Sequence, residues 1–175
     1  MRTEEKLTDN KFVNLKQVKH PEKNVGCYQF AERLGVDSIA FICYDKASGK
    51  FLVNKEYKPP VDQFVSGAFG GSMDKAQKPI DIAIGEIKEE AGFSVKASDV
   101  YSLGSVFVST QMNQFCMLFL AIVDASDQGE KEPENAIEAM ATTRWITYDD
   151  VMALQDWKAI TIVAKAKDRN IIPGR

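Results

Sequence analysis

The pattern of apolar and polar positions becomes clear after residue 37, where two apolar runs separated by a polar turn predict a β-hairpin. Residues 38–44 and 51–57 are rich in β-branched and aromatic side chains, and the segment between them, residues 45–49, has the Asp, Ser and Gly composition of a turn. Pro59 and Pro60 follow the second run. Because proline has no N–H to donate to a strand ladder, we expect the hairpin to end there.

A helical periodicity appears over residues 79–91. The apolar side chains that recur at spacings of four, three and four are Ile80, Ile84, Ile87 and Ala91. Pro79 is suited to the first position of a helix, and Gly92 stands where a C-terminal cap is expected. The pattern therefore predicts one amphipathic helix over residues 79–91.

The other segments complete a mixed architecture. We expect loop and short strand over residues 66–72, strands over 100–108, 115–123 and 143–148, an acidic loop over 124–135 and mostly helix over 149–168. The predicted fold class is α+β, or an α-β-α sandwich with a mixed sheet between helices.

The first 24 residues are highly charged and have only a weak apolar rhythm. We interpret residues 1–30 as an N-terminal arm or edge element and residues 31–175 as the functional domain. The length of 175 residues suits a single domain.

Composition and charge exclude several classes of function. Apolar residues make up 45% and charged residues 27%, which is typical of a globular chain, and the net charge of −3 with no basic block argues against a nucleic-acid partner. The longest apolar run is too short to span a membrane, and the polar N-terminus does not resemble a signal peptide. Three widely spaced cysteines suggest free thiols in a reducing compartment, so we expect a cytoplasmic protein.

Three glutamates in the predicted helix carry the strongest chemical signal. Glu86, Glu89 and Glu90 stand at i, i+3 and i+4 and so share one helix face, roughly opposite the isoleucines. Crowded carboxylates repel one another, and a hard divalent cation such as Mg²⁺ or Mn²⁺ would resolve the repulsion. A solvated acidic face is the alternative interpretation of the same three residues.

The glycines around this helix make the segment similar to a known family. Residues 71–93 resemble the Nudix box, G-x5-E-x7-R-E-U-x-E-E-x-G-U, in which U is a bulky aliphatic or similar residue. The matching positions are Gly71, Glu86, Ile87, Glu89, Glu90, Gly92 and Phe93. Gln77 replaces the family's Glu, and Gly85 replaces its Arg. The order of strands around the box, with Arg144-Trp145-Ile146 leading into a helix, is also similar to that family.

This resemblance implies a metal-dependent hydrolase of a diphosphate. Glu86, Glu89 and Glu90 would be the metal ligands with a backbone carbonyl near Gly71, and Glu89 and Glu90 would also be catalytic. The cofactor would be Mg²⁺, with Mn²⁺ as a substitute. The paired loss of the Glu at 77 and the Arg at 85 leaves no single unpaired charge, although it removes a contact that orients the carboxylates.

The substrate follows less directly from the resemblance. The family's ADP-ribose and nucleotide-sugar branch has substrate-binding residues in a similar order to Arg33, Tyr57 and Lys58. The candidate general base is Glu138, which we expect a loop to hold. Tyr57 could equally be an ordinary strand aromatic. ADP-ribose or an ADP-sugar is the first candidate substrate, and a homodimer is possible.

Two other functions remain open. Gln77 and Gly85 favour a weak or inactive Nudix-fold module that binds a nucleotide or regulates without cleavage. An isomerase of diphosphate lipids would need a positioned cysteine, and none of the three cysteines matches that motif.

Overall fold

The computed structural model describes residues 1–33, 37–73, 76–133 and 136–173, without the side chain of residue 137. Among these residues, no helix is long and apolar enough to cross a membrane.

The described strands form two sheets. An N-terminal antiparallel sheet has the order β1-β2-β3, built from Thr3–Lys6, Val13–His20 and Val25–Arg33. The larger sheet contains β4 (Ser38–Asp45), β5 (Lys50–Lys58), β6 (Gln63–Gly67), β7 (Phe69–Ser72), β8 (Val100–Phe107), β9 (Phe115–Val123) and β10 (Thr142–Ile146). Its main path is β10-β5-β4-β9-β8, and β4 and β9 are parallel while the other neighbours are antiparallel.

Strands β4 and β5 separate after a short paired segment and so form a fork in the larger sheet. They pair only through residues 43–45 and 50–52. Beyond that point β6 pairs with the rest of β5, and β7 pairs with the start of β4. The glycine-rich segment predicted as loop and short strand is therefore the pair of strands that fills the fork.

Helices cover both faces of the larger sheet. Helix α1 (Pro79–Ala91) packs one face through the buried side chains of Ile82, Ala83, Ile87 and Ala91. Helices α3 (Tyr148–Met152) and α4 (Trp157–Asp168) cover the other face, and the short helix α2 (Ala136–Met140) precedes β10. The predicted mixed sheet between helices is confirmed.

Local sequence signals explain the helix ends. Helix α1 has the predicted bounds, because Pro79 occupies its first turn and Gly92 adopts φ 78° at its end. The region predicted as mostly helical contains two helices, because residues 153–156 interrupt it. Thr147 and Asp150 form a reciprocal cap on α3, and the Asp156 side chain accepts from the Lys158 N–H to begin α4.

The first 33 residues form the N-terminal sheet, and β3 attaches it to the rest of the molecule. The Ala31 N–H donates to the Gln111 carbonyl at 2.7 Å, and the Tyr28 hydroxyl donates to the Thr110 carbonyl at 2.7 Å. Strand β3 (Val25–Arg33) continues through residue 30, which is the expected boundary between the N-terminal arm and the domain.

Candidate active site

The glutamate face of α1 lies against the glycines of β7. A Cβ atom built on Gly71 would lie 2.2 Å from Glu86 Oε1, so this carboxylate occupies the space that any side chain at position 71 would need. A Cβ on Gly70 would lie 3.0 Å from the Ile39 carbonyl of the paired strand. The two glycines therefore let backbone and carboxylate approach closely at the mouth of the fork.

Glu90 is the most perturbed carboxylate of this face. The Gly70 N–H donates to Glu90 Oε2 at 3.3 Å. Burial raises the pKa of Glu90 to about 8, and the nearby charge of Glu86 adds to the effect, with smaller contributions from Glu138 and Glu56. Burial and the neighbouring carboxylates thus disfavour the ionised form of Glu90, and a cation bound beside it would favour ionisation.

The far end of α1 is held by backbone contacts with the following acidic loop. The Gly129 N–H donates to the Gly92 carbonyl at 2.8 Å, and the Glu132 N–H donates to the Glu89 carbonyl at 2.8 Å. A Cβ on Gly92 would lie 2.5 Å from the Gly129 carbonyl oxygen. The segment that leads to α2 is therefore attached directly to the helix that carries the glutamates.

A cleft of about 340 Å³ opens beside these groups. Six charged residues contribute to its lining: Arg33, Glu56, Lys58, Glu90, Glu138 and Lys158. The Arg33 guanidinium donates to Ser72 Oγ at 2.7 Å, and the Lys58 ammonium pairs with Glu56 at 2.7 Å. Gly70 and Gly71 complete the wall next to Glu90. Acidic and basic groups thus face one space that a diphosphate with bound cations could occupy.

A second cleft of about 200 Å³ adjoins the first. The two share part of their lining, namely Glu56, Lys58, Ala68 and Lys158. The second cleft continues between Asn54 on β5, Val65 and Gly67 on β6, and Gln155 and Asp156 before α4. The diphosphate-sized space is therefore extended toward the start of α4.

Most of the sequence-predicted site residues meet at the first cleft. Arg33, Lys58, Gly71, Glu90 and Glu138 line it directly. Glu89 joins Glu90 and Glu138 around a narrow crevice next to it, and Glu86 contacts Gly71. All three helix glutamates are partly buried, and Glu86 and Glu90 lie against β7, so a fully solvated face does not describe their position.

Two predicted site residues are placed differently from the expectation. Tyr57 is not among the residues that line the clefts, and its hydroxyl donates to Asp62 Oδ1 at 2.6 Å while its ring contacts Phe64. Glu138 lies in helix α2, not in a loop. In both cases the sequence around the residue predicts a different structural environment from the observed one.

The donor set of the helix face suits a hard divalent cation. Carboxylate oxygens are the ligands that Mg²⁺ and Mn²⁺ prefer. The side chains are not gathered into a closed cage, because within the described ranges no three Asp, Glu, His or Cys side chains are close enough to hold a metal ion. The fit therefore rests on the shared helix face of Glu86, Glu89 and Glu90 and on the Gly71 backbone beside Glu86.

Sequence reasoning missed Asn54, Asp156 and Lys158. Asn54, Glu56 and Lys58 alternate along β5, so period-two spacing from Lys58 could have indicated the first of these. Asp156 and Lys158 lie about 90 residues after Gly67, and the contact of Asp156, the residue before α4, with Gly67 and Ala68 brings them to the site. Neither segment contains a local sequence signal that predicts this contact.

Comparison with known proteins identifies the family. Residues 35–165 match the model of the NUDIX domain. An uncharacterized Nudix hydrolase of Schizosaccharomyces pombe (strain 972) is 24% identical over 147 residues, which cover 74% of this chain and 67% of the relative. The crystal structure of an ADP compounds hydrolase superposes with a TM-score of 0.73 at 13% identity, covering 95% of this chain and 91% of the other. These findings support a Nudix hydrolase, and the chain belongs to the NUDIX domain family.

Proposed function

We propose that this protein is a Mg²⁺-dependent pyrophosphohydrolase that cleaves the diphosphate of a nucleoside diphosphate linked to another moiety. The observation that carries the proposal is the position of Glu86 and Glu90 against the glycines of β7, with Glu89 beside Glu90 at the adjoining crevice, next to a charged cleft of about 340 Å³. ADP-ribose or an ADP-sugar is the first candidate substrate, and the structural likeness to an ADP compounds hydrolase supports that choice.

The metal would be held by Glu86, Glu89 and Glu90 with the backbone carbonyl of Gly71. When bound there, Mg²⁺ or Mn²⁺ would neutralise diphosphate oxygens and lower the pKa of an attacking water. The chain's own contribution is to hold carboxylates beside backbone that carries no side chain. Gly71 is essential to this arrangement, because a Cβ would displace the Glu86 carboxylate.

The remaining cleft residues would bind the substrate and transfer the proton. Arg33 and Lys58 lie where they could contact phosphoryl oxygens, and both are already oriented, by Ser72 and Glu56 respectively. Glu138 lines both the cleft and the crevice beside Glu89 and Glu90, so it could accept a proton from water near the scissile phosphorus. The products would be AMP and a sugar phosphate.

Steady-state hydrolysis of ADP-ribose with excess Mg²⁺ tests the proposal. We expect Glu90→Gln to lower kcat by about 100-fold or more, as the loss of a metal-held charge in a transition state does. Glu130→Gln, which changes an exposed loop carboxylate, should retain the wild-type rate. Wild-type turnover by Glu90→Gln would show that the ligand assignment is wrong.

A nucleotide-binding or regulatory module without catalysis is the second candidate function. Gly85 stands where the Nudix box has Arg, and a Cβ built there would meet nothing within 4 Å, so that the position lacks its orienting side chain although it has room for one. If the wild type binds ADP-ribose without turnover, the double variant Gln77→Glu, Gly85→Arg should gain hydrolysis. A double variant that still binds ADP-ribose without turnover would show that Gln77 and Gly85 are not the cause of the missing hydrolysis.

We also propose a homodimer formed through the N-terminal sheet. Large apolar side chains in the first 33 residues are exposed, including Phe12, Leu15 and Tyr28. Burial of such exposed apolar side chains against a second copy of the chain would stabilise a dimer. Light scattering on the purified protein should give twice the mass of 19.5 kDa, and Phe12→Lys should shift it toward the monomer.

A cytoplasmic location is the corresponding proposal for the compartment. All three cysteines are free, and Cys27 is exposed. An exposed thiol persists more readily in a reducing compartment. Imaging of a tagged copy in the source cells would test the location.

A further inference from the structure

The narrow crevice beside the first cleft brings together three carboxylates and one cation. Glu89 and Glu90 of α1 and Glu138 of α2 line it, and Lys131 is the one basic residue among the described lining. Helix α1 has a single basic residue, Lys88, which is not among those lining residues. The positive charge next to the glutamates therefore comes from the acidic loop that follows β9.

Two contacts with α1 fix the loop at this point. The Glu132 N–H donates to the Glu89 carbonyl at 2.8 Å, and the Lys88 ammonium pairs with the Glu132 carboxylate at 3.5 Å. The backbone bond is the main anchor, because an exposed ion pair contributes little stability. Since Lys131 directly precedes Glu132, its backbone is held beside the helix that carries the glutamates.

The side chain of Lys131 extends from that anchor to the end of α2. Its ammonium donates to the Ala141 carbonyl at 3.0 Å, and the Ala141 N–H donates to the Glu138 carbonyl at 3.0 Å. Ala141 directly follows the last residue of α2. A cation is favourable there, because the final carbonyls of a helix carry partial negative charge and lack partners within the helix. One lysine therefore links the loop bound to α1 with the helix that carries Glu138.

Helix α2 depends on contacts of this kind for its position. It has only five residues, and a helix this short is not stable by itself. Its position must therefore come from tertiary contacts, of which the Lys131 bond is one. Ala141 lies about one helical turn after Glu138, so a bond that holds Ala141 also restricts the backbone of Glu138. The ammonium of Lys131 and the carboxylate of Glu138 also line the same crevice and attract each other.

We propose that Lys131 is a positioning residue for the hydrolysis, because its bond to Ala141 keeps Glu138 beside Glu89 and Glu90, where Glu138 can accept a proton from the attacking water. This inference rests on the proposed function, in which Glu138 is the general base. Lys131 acts through Glu138, so its removal should impair proton transfer and leave substrate binding intact.

A double-mutant cycle with Glu138 tests this role. On ADP-ribose with excess Mg²⁺, Glu138→Gln should lower kcat by about 100-fold, within the range for loss of general-base catalysis. Lys131→Met should lower kcat by about 10-fold and leave KM within about 2-fold of wild type, because a displaced base loses part of that contribution. In the Glu138→Gln background, Lys131→Met should cause no further loss, since the two residues act as one unit.

Two control variants separate loss of this bond from loss of an arbitrary lysine. Lys131→Arg keeps a charged donor and should recover most of the wild-type kcat. Lys46→Met removes an exposed turn lysine and should behave as wild type.

Hydrogen exchange of the unliganded protein gives a readout that does not depend on activity. The Ala141 amide, which is bonded to the Glu138 carbonyl, should exchange about 10-fold faster in Lys131→Met than in wild type. The amides of α1 should keep their wild-type rates, because the substitution leaves that helix intact. Lys131→Arg should return the Ala141 amide to near the wild-type rate.

The outcomes distinguish the positioning role from the proposed function. If the wild type hydrolyses ADP-ribose, three results would each overturn the role of Lys131 alone: a wild-type kcat in Lys131→Met, a loss that persists undiminished in the Glu138→Gln background, or an unchanged exchange rate of the Ala141 amide. A wild type that hydrolyses no nucleoside diphosphate sugar overturns the proposed function and the positioning role together.

Discussion

Replacing Gly67 with alanine would test whether close packing at this glycine positions Asp156, the residue that caps α4. The added Cβ would lie 2.2 Å from Asp156 Oδ2 and 2.8 Å from its Cβ, so the Asp156 side chain has to move. That movement breaks its contacts with the Ala68 N–H at 2.7 Å and with the Lys158 N–H at 3.1 Å. One of these contacts caps the helix, and the other joins the helix to the strand.

The expected loss of stability follows from those two contacts. Loss of an Asp N-cap costs about 1 kcal/mol, and loss of a hydrogen bond to a charged group costs about 1.5–3 kcal/mol. The free energy of unfolding should therefore fall by about 3 kcal/mol, which for a chain of this size lowers Tm by about 6–12 °C.

Gly85→Ala provides the matched control, because the same chemical change should act in the opposite direction. Gly85 lies inside α1, and a Cβ there would meet nothing within 4 Å. The substitution should raise the free energy of unfolding by about 0.5–1 kcal/mol through helix propensity. Urea denaturation of both variants, monitored by circular dichroism, gives the two values directly. A Gly67→Ala protein as stable as wild type would refute the reasoning.

Two further predictions concern the end of α1 and the thiols. Gly92→Ala should lower the free energy of unfolding by at least about 2 kcal/mol in thermal denaturation. The reason is that φ at this position is 78° and that the new Cβ would lie 2.5 Å from the Gly129 carbonyl oxygen. An unchanged Tm would contradict this packing. A thiol reagent at pH 8 should modify exposed Cys27 rapidly but should modify Cys43 and Cys116 only after unfolding. The latter two are buried, and burial raises the pKa of each thiol. Rapid reaction of a second thiol in the folded protein would contradict this burial.

The parts of the fold that local sequence determines were predictable. Helix α1 begins and ends at the predicted residues, because proline, an apolar stripe and a left-handed glycine are all local signals. The hairpin of β4 and β5 was predicted for the same reason. The grouping of Glu86, Glu89 and Glu90 on one face needed only helical geometry.

The parts of the site that depend on packing were not predictable in the same way. The resemblance assigns both Tyr57 and Lys58 to substrate binding. Adjacent residues of a strand point to opposite faces of the sheet, so of these two only Lys58 lines the clefts. Lys158 and Asn54 line the same cleft because Asp156, the residue that caps α4, lies against Gly67 at the end of β6. Nothing in either segment alone indicates that long-range contact.

Turnover of a substrate panel by the purified wild type tests the central claim most directly. The panel would contain ADP-ribose, ADP-sugars, NADH, dinucleoside polyphosphates and nucleoside triphosphates, each with Mg²⁺ and then with Mn²⁺. Our account predicts metal-dependent release of AMP, fastest from a nucleoside diphosphate sugar. No release from any member of the panel, with ligands that still raise Tm, would contradict the hydrolase and establish a binding module.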